Sequence, residues 1–220
     1  MGEVKEPSAR RPYRSAVREE NARRTRRAIV SAAGPLFVER GYAATSLAEV
    51  ARAAGVARPT VAAAFGSKPA LLRQILNEAL AGDDEPVPVA ERPWFAPVWQ
   101  AGTAGEVLDA YAGICTLIGR RAARVFETVR RAADSSAEVA ELWATAQRNR
   151  RAGAEMVVRR AAGFGALRPE LGPARAVDAL WTLNDPALYG ALVLDSGWPE
   201  DDHRRWLAGQ MRTAVLADDR

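Results

Sequence analysis

The sequence predicts an all-α protein, and three observations carry that expectation. Apolar residues recur at three- and four-residue intervals over most of the chain, sustained apolar/polar alternation of the β type is missing, and Gly, Pro and Ser punctuate the periodic stretches at helix-length intervals. With 220 residues, 48% of them hydrophobic and 26% charged, the chain is long enough to bury a real core in one or two compact units.

Residues 1–20 hold few large apolar groups and no periodicity, and they read as a disordered basic arm. A first helix is expected from about Asn21 to Arg40, because Ile29, Ala32, Ala33, Leu36 and Phe37 form one apolar stripe and Gly41 supplies a left-handed cap. Pro35 inside it removes one backbone hydrogen bond and predicts a local bend. The second helix opens at Thr45 or Ser46, where Ser46-x-x-Glu49 is a capping box, and buries Leu47, Val50, Ala51 and Ala54 before Gly55 ends it. Three residues later Pro59 takes a first helical position, followed by Thr60, Val61 and a run of alanines to Phe65.

Two short helices at so tight a turn, with small Ala51 at the crossing, Gly55 for the turn and Val56 and Val61 packed beneath, have the helix-turn-helix pattern that lays its second helix in a DNA major groove. Ser67 then caps a further helix whose apolar face is Leu71, Leu72, Ile75, Leu76 and Leu80. Residues 21–81 form the expected DNA-binding domain, with the motif at about 45–65. Residues 82–105, rich in Pro with Gly82, Asp83 and Asp84, form a linker or irregular segment that holds the domain boundary. Residues 106–220 return to long helical patterns: about 106–131, broken near Gly119, then 138–162, 174–183, 187–195 and 201–216.

Charge follows the same division. Residues 1–80 carry 14 Lys/Arg against 7 Asp/Glu, a net +7, whereas residues 81–220 carry a net −3. A basic unit ahead of a mildly acidic remainder fits a chain whose first part faces a polyanion. Of the 31 basic residues, 29 are arginine, a bias expected of GC-rich coding DNA, so clustering is more informative than number. Eight arginines, Arg24 among them, fall between positions 10 and 27.

The chain has one cysteine, Cys115, and one histidine, His203. An intrachain disulfide, a thiolate zinc site and the usual Ser-His-Asp or Cys-His constellations are thereby excluded, so no enzyme, metal or cofactor is expected. Polar, charged first residues and the lack of any run of about 20 apolar residues lead to the expectation of a cytoplasmic protein with no membrane partner.

Residues from about Thr25 to Leu80 resemble the DNA-binding domain of the TetR family of bacterial one-component regulators. The likeness rests on Ala32–Phe37, Gly41-Tyr42, Thr45-Ser46, Val50-Ala51, Ala54-Gly55-Val56, Pro59-Thr60-Val61, Phe65 and Ser67-Lys68, and more loosely on Gly197-Trp198-Pro199 ahead of Trp206-Leu207. The resemblance implies a homodimer that reads a palindromic operator in double-stranded DNA with an N-terminal three-helix domain, and a helical ligand-binding and dimerisation domain behind it that releases a repressor when a small-molecule effector binds.

Under that resemblance, Arg58 and Thr60 match base- or phosphate-contacting positions and Lys68 a phosphate-contacting lysine. Thr45 and Ser46 are placed beside the groove to offer hydroxyls and amides, and Arg24 joins the DNA-binding set. Where the family places tyrosine and other bulky groups, this chain has Ala62-Ala63-Ala64. That departure keeps open the alternative of a small-molecule-binding or interaction dimer with a degenerate helix-turn-helix. The expected effector-pocket residues are Trp99, Tyr111, Cys115, Phe126, Trp143, Met156 and Trp181. The last two helices, through Leu180, Leu183, Leu188, Leu192, Trp206 and Met211, are expected to pair with the partner subunit.

Overall fold

The structure, a computed structural model, describes residues 10–165 and 167–217, and the chain divides into two compact units, Met1–Leu71 and Leu72–Arg220. The division falls inside a helix, upstream of the Pro-rich stretch where the sequence reading puts it.

Helices α1 (Arg10–Arg40), α2 (Leu47–Ala53) and α3 (Arg58–Phe65), with the first turn of α4 (Lys68–Ala81), build the first unit. Its core is Ile29, Ala33 and Phe37 of α1, Tyr42, Val50 and Ala51 around α2, and Val61 of α3. Helix α1 begins at Arg10, so residues 10–20 are helical where the sequence reading has a disordered arm, and residues 1–9 lie outside the described residues. The helix runs through Pro35.

The second unit contains the rest of α4, two 3₁₀ turns (Val89–Glu91 and Pro93–Phe95), and helices α5 (Ala96–Gln100), α6 (Ala104–Ala132), α7 (Ala137–Ala162), α8 (Gly172–Leu183), α9 (Pro186–Tyr189) and α10 (Glu200–Val215). Segment 82–105 is therefore not a bare linker: it carries α5 and places Phe95, Val98, Ala101 and Ala104 in the core. Polar composition disguised it, since its apolar residues are spaced by prolines that fix the backbone without helical periodicity.

Helix α6 is the centre of this unit and packs against α5, α7, α9 and α10. Thr103 caps its start by accepting from Glu106 N at 3.1 Å, and Ser136 caps α7 in the same way. The core is Val107, Leu108 and Tyr111 from α6, Ala154, Val157 and Val158 from α7, Leu180 from α8, and Leu207, Met211 and Val215 from α10.

Two details depart from the sequence reading. Helix α6 is unbroken at Gly119, which serves instead as a contact point: a Cβ there would lie 2.6 Å from Tyr189 Cβ. The expected helix over 187–195 is α9 followed by a π-helical stretch, Gly190–Asp195. His203, which follows Asp201-Asp202, is buried: Thr116 Oγ1 bonds the Ala112 carbonyl at 2.9 Å and shares a hydrogen bond with His203 Nδ1 at 3.1 Å.

Gly119→Val inserts an isopropyl group into the Tyr189 contact and is expected to destabilise the protein by about 1–3 kcal/mol. The midpoint of urea unfolding measures it, and an unchanged midpoint refutes the close-packing role.

Candidate nucleic-acid interface and ligand cavity

The turn between α2 and α3 is closed by main-chain bonds. Gly55 takes φ +67°, its N–H reaches the Arg52 carbonyl at 3.2 Å, and Val56 N–H reaches Ala51 at 3.0 Å. This pair of bonds is a Schellman motif, which satisfies the last carbonyls of α2 and turns the chain at once into α3. At the other end of α2 the capping box is complete: Ser46 N donates to Glu49 Oε2 at 2.8 Å and Glu49 N donates to Ser46 Oγ at 3.2 Å. Bonds from Ser46 hold the Glu49 carboxyl below its ordinary pKa.

Helix α3 presents Arg58, Pro59, Ala62 and Ala63 to solvent, with Val61 buried against the unit. Its C-terminal end is held by Arg26 of α1, whose guanidinium lies 4.4 Å over the Phe65 ring and donates to the Ala64 carbonyl. Lys68, at the start of α4, lies 4.2 Å over the Tyr42 ring and 3.4 Å from the Ala43 carbonyl, and burial lowers its pKa. An ammonium has three donors, so this seat fixes the head group while committing one of them.

Within the second unit a cavity of about 790 Å³ is bounded by the C-terminal half of α4, the segment 83–90, and faces of α6 and α7, with Asn184 and Pro186 at one end. Its wall is largely apolar, which suits a small-molecule site. Arg92, 6% exposed, clamps the segment beside it: Nη1 meets both Asp83 carboxylate oxygens at 2.8 and 2.7 Å, Nη2 the Glu85 carbonyl at 2.7 Å and Nε the Val87 carbonyl at 3.0 Å.

At the polar end Asn184 Nδ2 donates to Tyr111 Oη at 2.8 Å and to the Arg150 carbonyl at 3.2 Å. Arg150 pairs with Asp185 at 2.9 Å, and its Nη2 donates to the Trp181 carbonyl at 2.8 Å. Burial pushes the Cys115 thiol up to about 12 and raises the Tyr111 phenol, while the nearby Arg150 charge opposes both shifts and loses. Among the described residues no group of His, Cys, Asp and Glu is arranged to hold a metal, and no helix is long and apolar enough to cross a membrane.

A family model described as bacterial regulatory proteins, tetR family, matches residues 29–75, which covers the C-terminal part of α1, all of α2 and α3, and the first half of α4. The HTH-type transcriptional repressor BdcR of Escherichia coli is 42% identical over 62 residues, a match covering 28% of this chain and 30% of that protein's length. Residues 29–75 are thus similar to the DNA-binding domain of the tetR family.

Solved structures share the fold over most of the chain. The SmeT–triclosan complex aligns with a TM-score of 0.68 at 22% identity over 88% of this chain and 92% of that one. A transcriptional regulator from Saccharomonospora viridis in complex with choline aligns at 0.63 with 20% identity over 88% and 98%. An N-terminal helix-turn-helix followed by a helical domain is the shared architecture.

Against this TetR-family frame the expected DNA-binding residues separate into two groups. Arg24 and Arg58 are exposed, Thr60 is half-buried in the first turn of α3, and Lys68 is seated as described. Arg24 also reaches Asn21 Oδ1 at 3.4 Å. Thr45 is 1% exposed and gives its hydroxyl to the Leu36 and Gly41 carbonyls at 3.1 and 3.0 Å, so its side chain closes α1 onto α2 and does not face a groove. The Ser46 hydroxyl is exposed, but its proton goes to Glu49 at 2.8 Å, which makes it a cap first.

Of the expected pocket residues, Tyr111, Cys115 and Met156 line the cavity and four do not. Phe126 and Trp143 pack on one another at 5.5 Å. Trp99 lies against Phe95 and donates its indole N–H to the Ala90 carbonyl at 2.9 Å, and Trp181 packs at the edge of the core with Arg150 over its ring.

The expected dimer residues also need correction. Leu180 and Met211 are fully buried in the chain's own core and cannot meet a partner, and Leu183, Leu188 and Trp206 pack partly against that core. Leu192 is half-buried, while Leu194 and Trp198 are exposed beside it in sequence. Helical periodicity finds apolar stripes but does not say which stripe is inward, and the π-helical stretch shifts the phase at Gly190. Arg92 and Asn184 escaped the sequence reading because nothing in a Pro-rich segment or a lone amide marks a buried polar anchor.

Because the Cys115 thiol titrates near 12 in the fold and near 8.5 in an unfolded chain, both states are protonated at neutral pH and the unfolded chain loses its proton first as pH rises. Stability is expected to fall by about 1.4 kcal/mol per pH unit from this group between about pH 9 and 12. Cys115→Ser should flatten that slope in urea titrations. Iodoacetamide at pH 8 is expected to leave native Cys115 unmodified and to alkylate it in urea.

Proposed function

We propose that this chain is a TetR-type transcriptional repressor, not an enzyme, which binds a palindromic operator as a homodimer and is released by a small-molecule effector. The observation that carries the reading is α4, a single uninterrupted helix: its first residue is Lys68, seated beside the DNA-reading helices, and its later residues Gln74, Leu76, Asn77, Glu78, Leu80 and Ala81 line the cavity. A ligand that favours one setting of this helix changes the DNA-binding end by the difference in its affinity for the two settings.

On the operator side, Arg58 at the start of α3 supplies base or phosphate contact, Thr60 and Lys68 phosphate contact, and Arg24 a further cation on α1. The partner subunit is met by the segment running from the π-helical stretch into α10, where Leu194 and Trp198 are exposed. The described relatives add support: one curated relative is a repressor, and two related structures hold triclosan and choline. A cytoplasmic location follows from this role.

A second reading is favoured by one observation. The outer face of α3 carries the exposed methyl groups of Ala62 and Ala63 where bulky side chains would otherwise grip DNA, which suits a ligand-binding dimer with a degenerate head. Thymine methyl groups pack on such a surface equally well, so the operator decides between the two.

Selection of genomic fragments on the purified full chain at about 0.15 M salt is expected to recover one inverted-repeat sequence, and recovery of nothing above background overturns repression in favour of the degenerate head. On the recovered site Lys68→Ala and Arg58→Ala are each expected to weaken binding about tenfold. Lys68→Ala should also make the salt dependence shallower by about one unit of slope.

A further inference from the structure

Helix α1 is 31 residues long, yet only its second half has a core to pack on; what its first half implies rests on the operator reading just given. Ile29, Val30, Ala33 and Phe37 are buried, whereas every residue from Val17 to Ala28 is exposed apart from the half-buried Arg23 and Thr25. Val17, Ala22 and Ala28 are the apolar residues of that stretch, too few and too small for the stripe that a protein partner or a lipid surface would cover.

Its charge is one-sided. Arg18, Arg23, Arg24, Arg26 and Arg27 stand against Glu19 and Glu20, a net +3 in twelve residues, and the sequence has three further arginines at positions 10, 11 and 14. Like charges four residues apart on a helix, such as Arg23 and Arg27, repel one another. A polyanion laid along the stretch removes that repulsion, and its condensed counterions are released into solution.

The first unit also says where that polyanion lies. Arg26 joins this part of α1 to α3, with its guanidinium 4.4 Å over the Phe65 ring and a bond to the Ala64 carbonyl, both in the last turn of α3. At about 1.5 Å of rise per residue, Arg27 is one step from Arg26 along the axis and Arg18 about 12 Å from it. The eight residues of α3 make a helix about 12 Å long, the width of a major groove, so a docked α3 ends beside the phosphates that wall the groove. The strand at its C-terminal end is the one that α1 passes. We propose that the exposed first half of α1 is a second DNA-contacting surface, which sets Arg18 and Arg27 against the phosphates beside the site read by α3 and adds affinity without reading sequence.

The test measures binding of the full chain by fluorescence anisotropy on two duplexes of about 40 base pairs, one of arbitrary sequence and one carrying the inverted repeat recovered by the selection above. Arg18→Gln combined with Arg27→Gln is expected to make the salt dependence on both duplexes shallower by about 1.8 units of slope. Between about 0.05 and 0.2 M salt the wild type then loses about twelvefold more affinity than the variant, while the preference for the repeat stays the same. Glu19→Gln combined with Glu20→Gln removes two negative charges from the same stretch and is expected to tighten binding to both duplexes about threefold, a gain that no loss of folding can imitate. An unchanged slope in a folded arginine variant, a changed preference for the repeat, or a glutamine-for-glutamate variant that binds no more tightly overturns the proposal. Vesicles of phosphatidylglycerol released by the arginine variant, with the DNA slope unchanged, also overturn it and assign the surface to lipid. A chain with these salt effects on the arbitrary duplex and no preferred sequence keeps the α1 surface and loses specific repression. A chain that prefers its repeat with an unchanged slope keeps repression and loses the α1 surface.

Discussion

A buried arginine sets the terms for the second unit. Arg150 is held between the rings of Phe126 and Trp181, 6.0 and 5.7 Å from its guanidinium carbon, where an unpaired charge would cost far more than the fold can supply. It therefore needs Asp185, and Asp185 is also the N-cap of α9, accepting from Ala187 N at 2.9 Å. The same guanidinium takes the Trp181 carbonyl in the last turn of α8. One side chain of α7 thus fixes where α8 stops and α9 starts, and it brings Asn184 of that junction against Tyr111 of α6. Arg150 lowers the pKa of Cys115 and Tyr111 by its charge, yet with Asp185 beside it desolvation outweighs that pull, and both groups stay protonated.

In the first unit the equivalent constraint is the length of the turn. A connection of so few residues between α2 and α3 must reverse the chain at once, and Gly55 is the residue that can take φ +67° without steric penalty, so that its own N–H returns to Arg52 and that of Val56 to Ala51. The polar residues around the motif then do structural service. Thr45 closes α1 onto α2, Ser46 caps α2, and Arg26 anchors α3 through Phe65 and the Ala64 carbonyl, leaving Arg58 as the long cation on the exposed face of α3.

This explains what the sequence made legible and what it hid. Main-chain requirements leave local marks, so the Ser46 box, the Gly55 turn, Pro59 at the start of α3 and the helical class of the whole chain could all be read directly. Inwardness leaves no local mark once helices pack on several sides. Leu180 and Met211 look like interface residues in a stripe and are core, His203 looks like a surface residue after two aspartates and is buried on Thr116, and large aromatics were favoured for the pocket although most of its wall is aliphatic. Polar anchors are hardest of all. Arg92 is one arginine among 29, and what distinguishes it is three carbonyl and carboxylate partners that come together when a Pro-rich segment folds back on it.

That segment also bears on how a ligand could move α4. Asp83 lies two residues past the end of the helix, and its carboxylate is gripped by Arg92 together with the Glu85 and Val87 carbonyls. The strap and the C-terminal end of α4 are therefore tied together, and residues of both line the same cavity. A ligand in the cavity fills space against Leu76 and Leu80 of α4 and Val87 and Val89 of the strap. Packed interiors respond to such filling by choosing between discrete arrangements and not by uniform swelling.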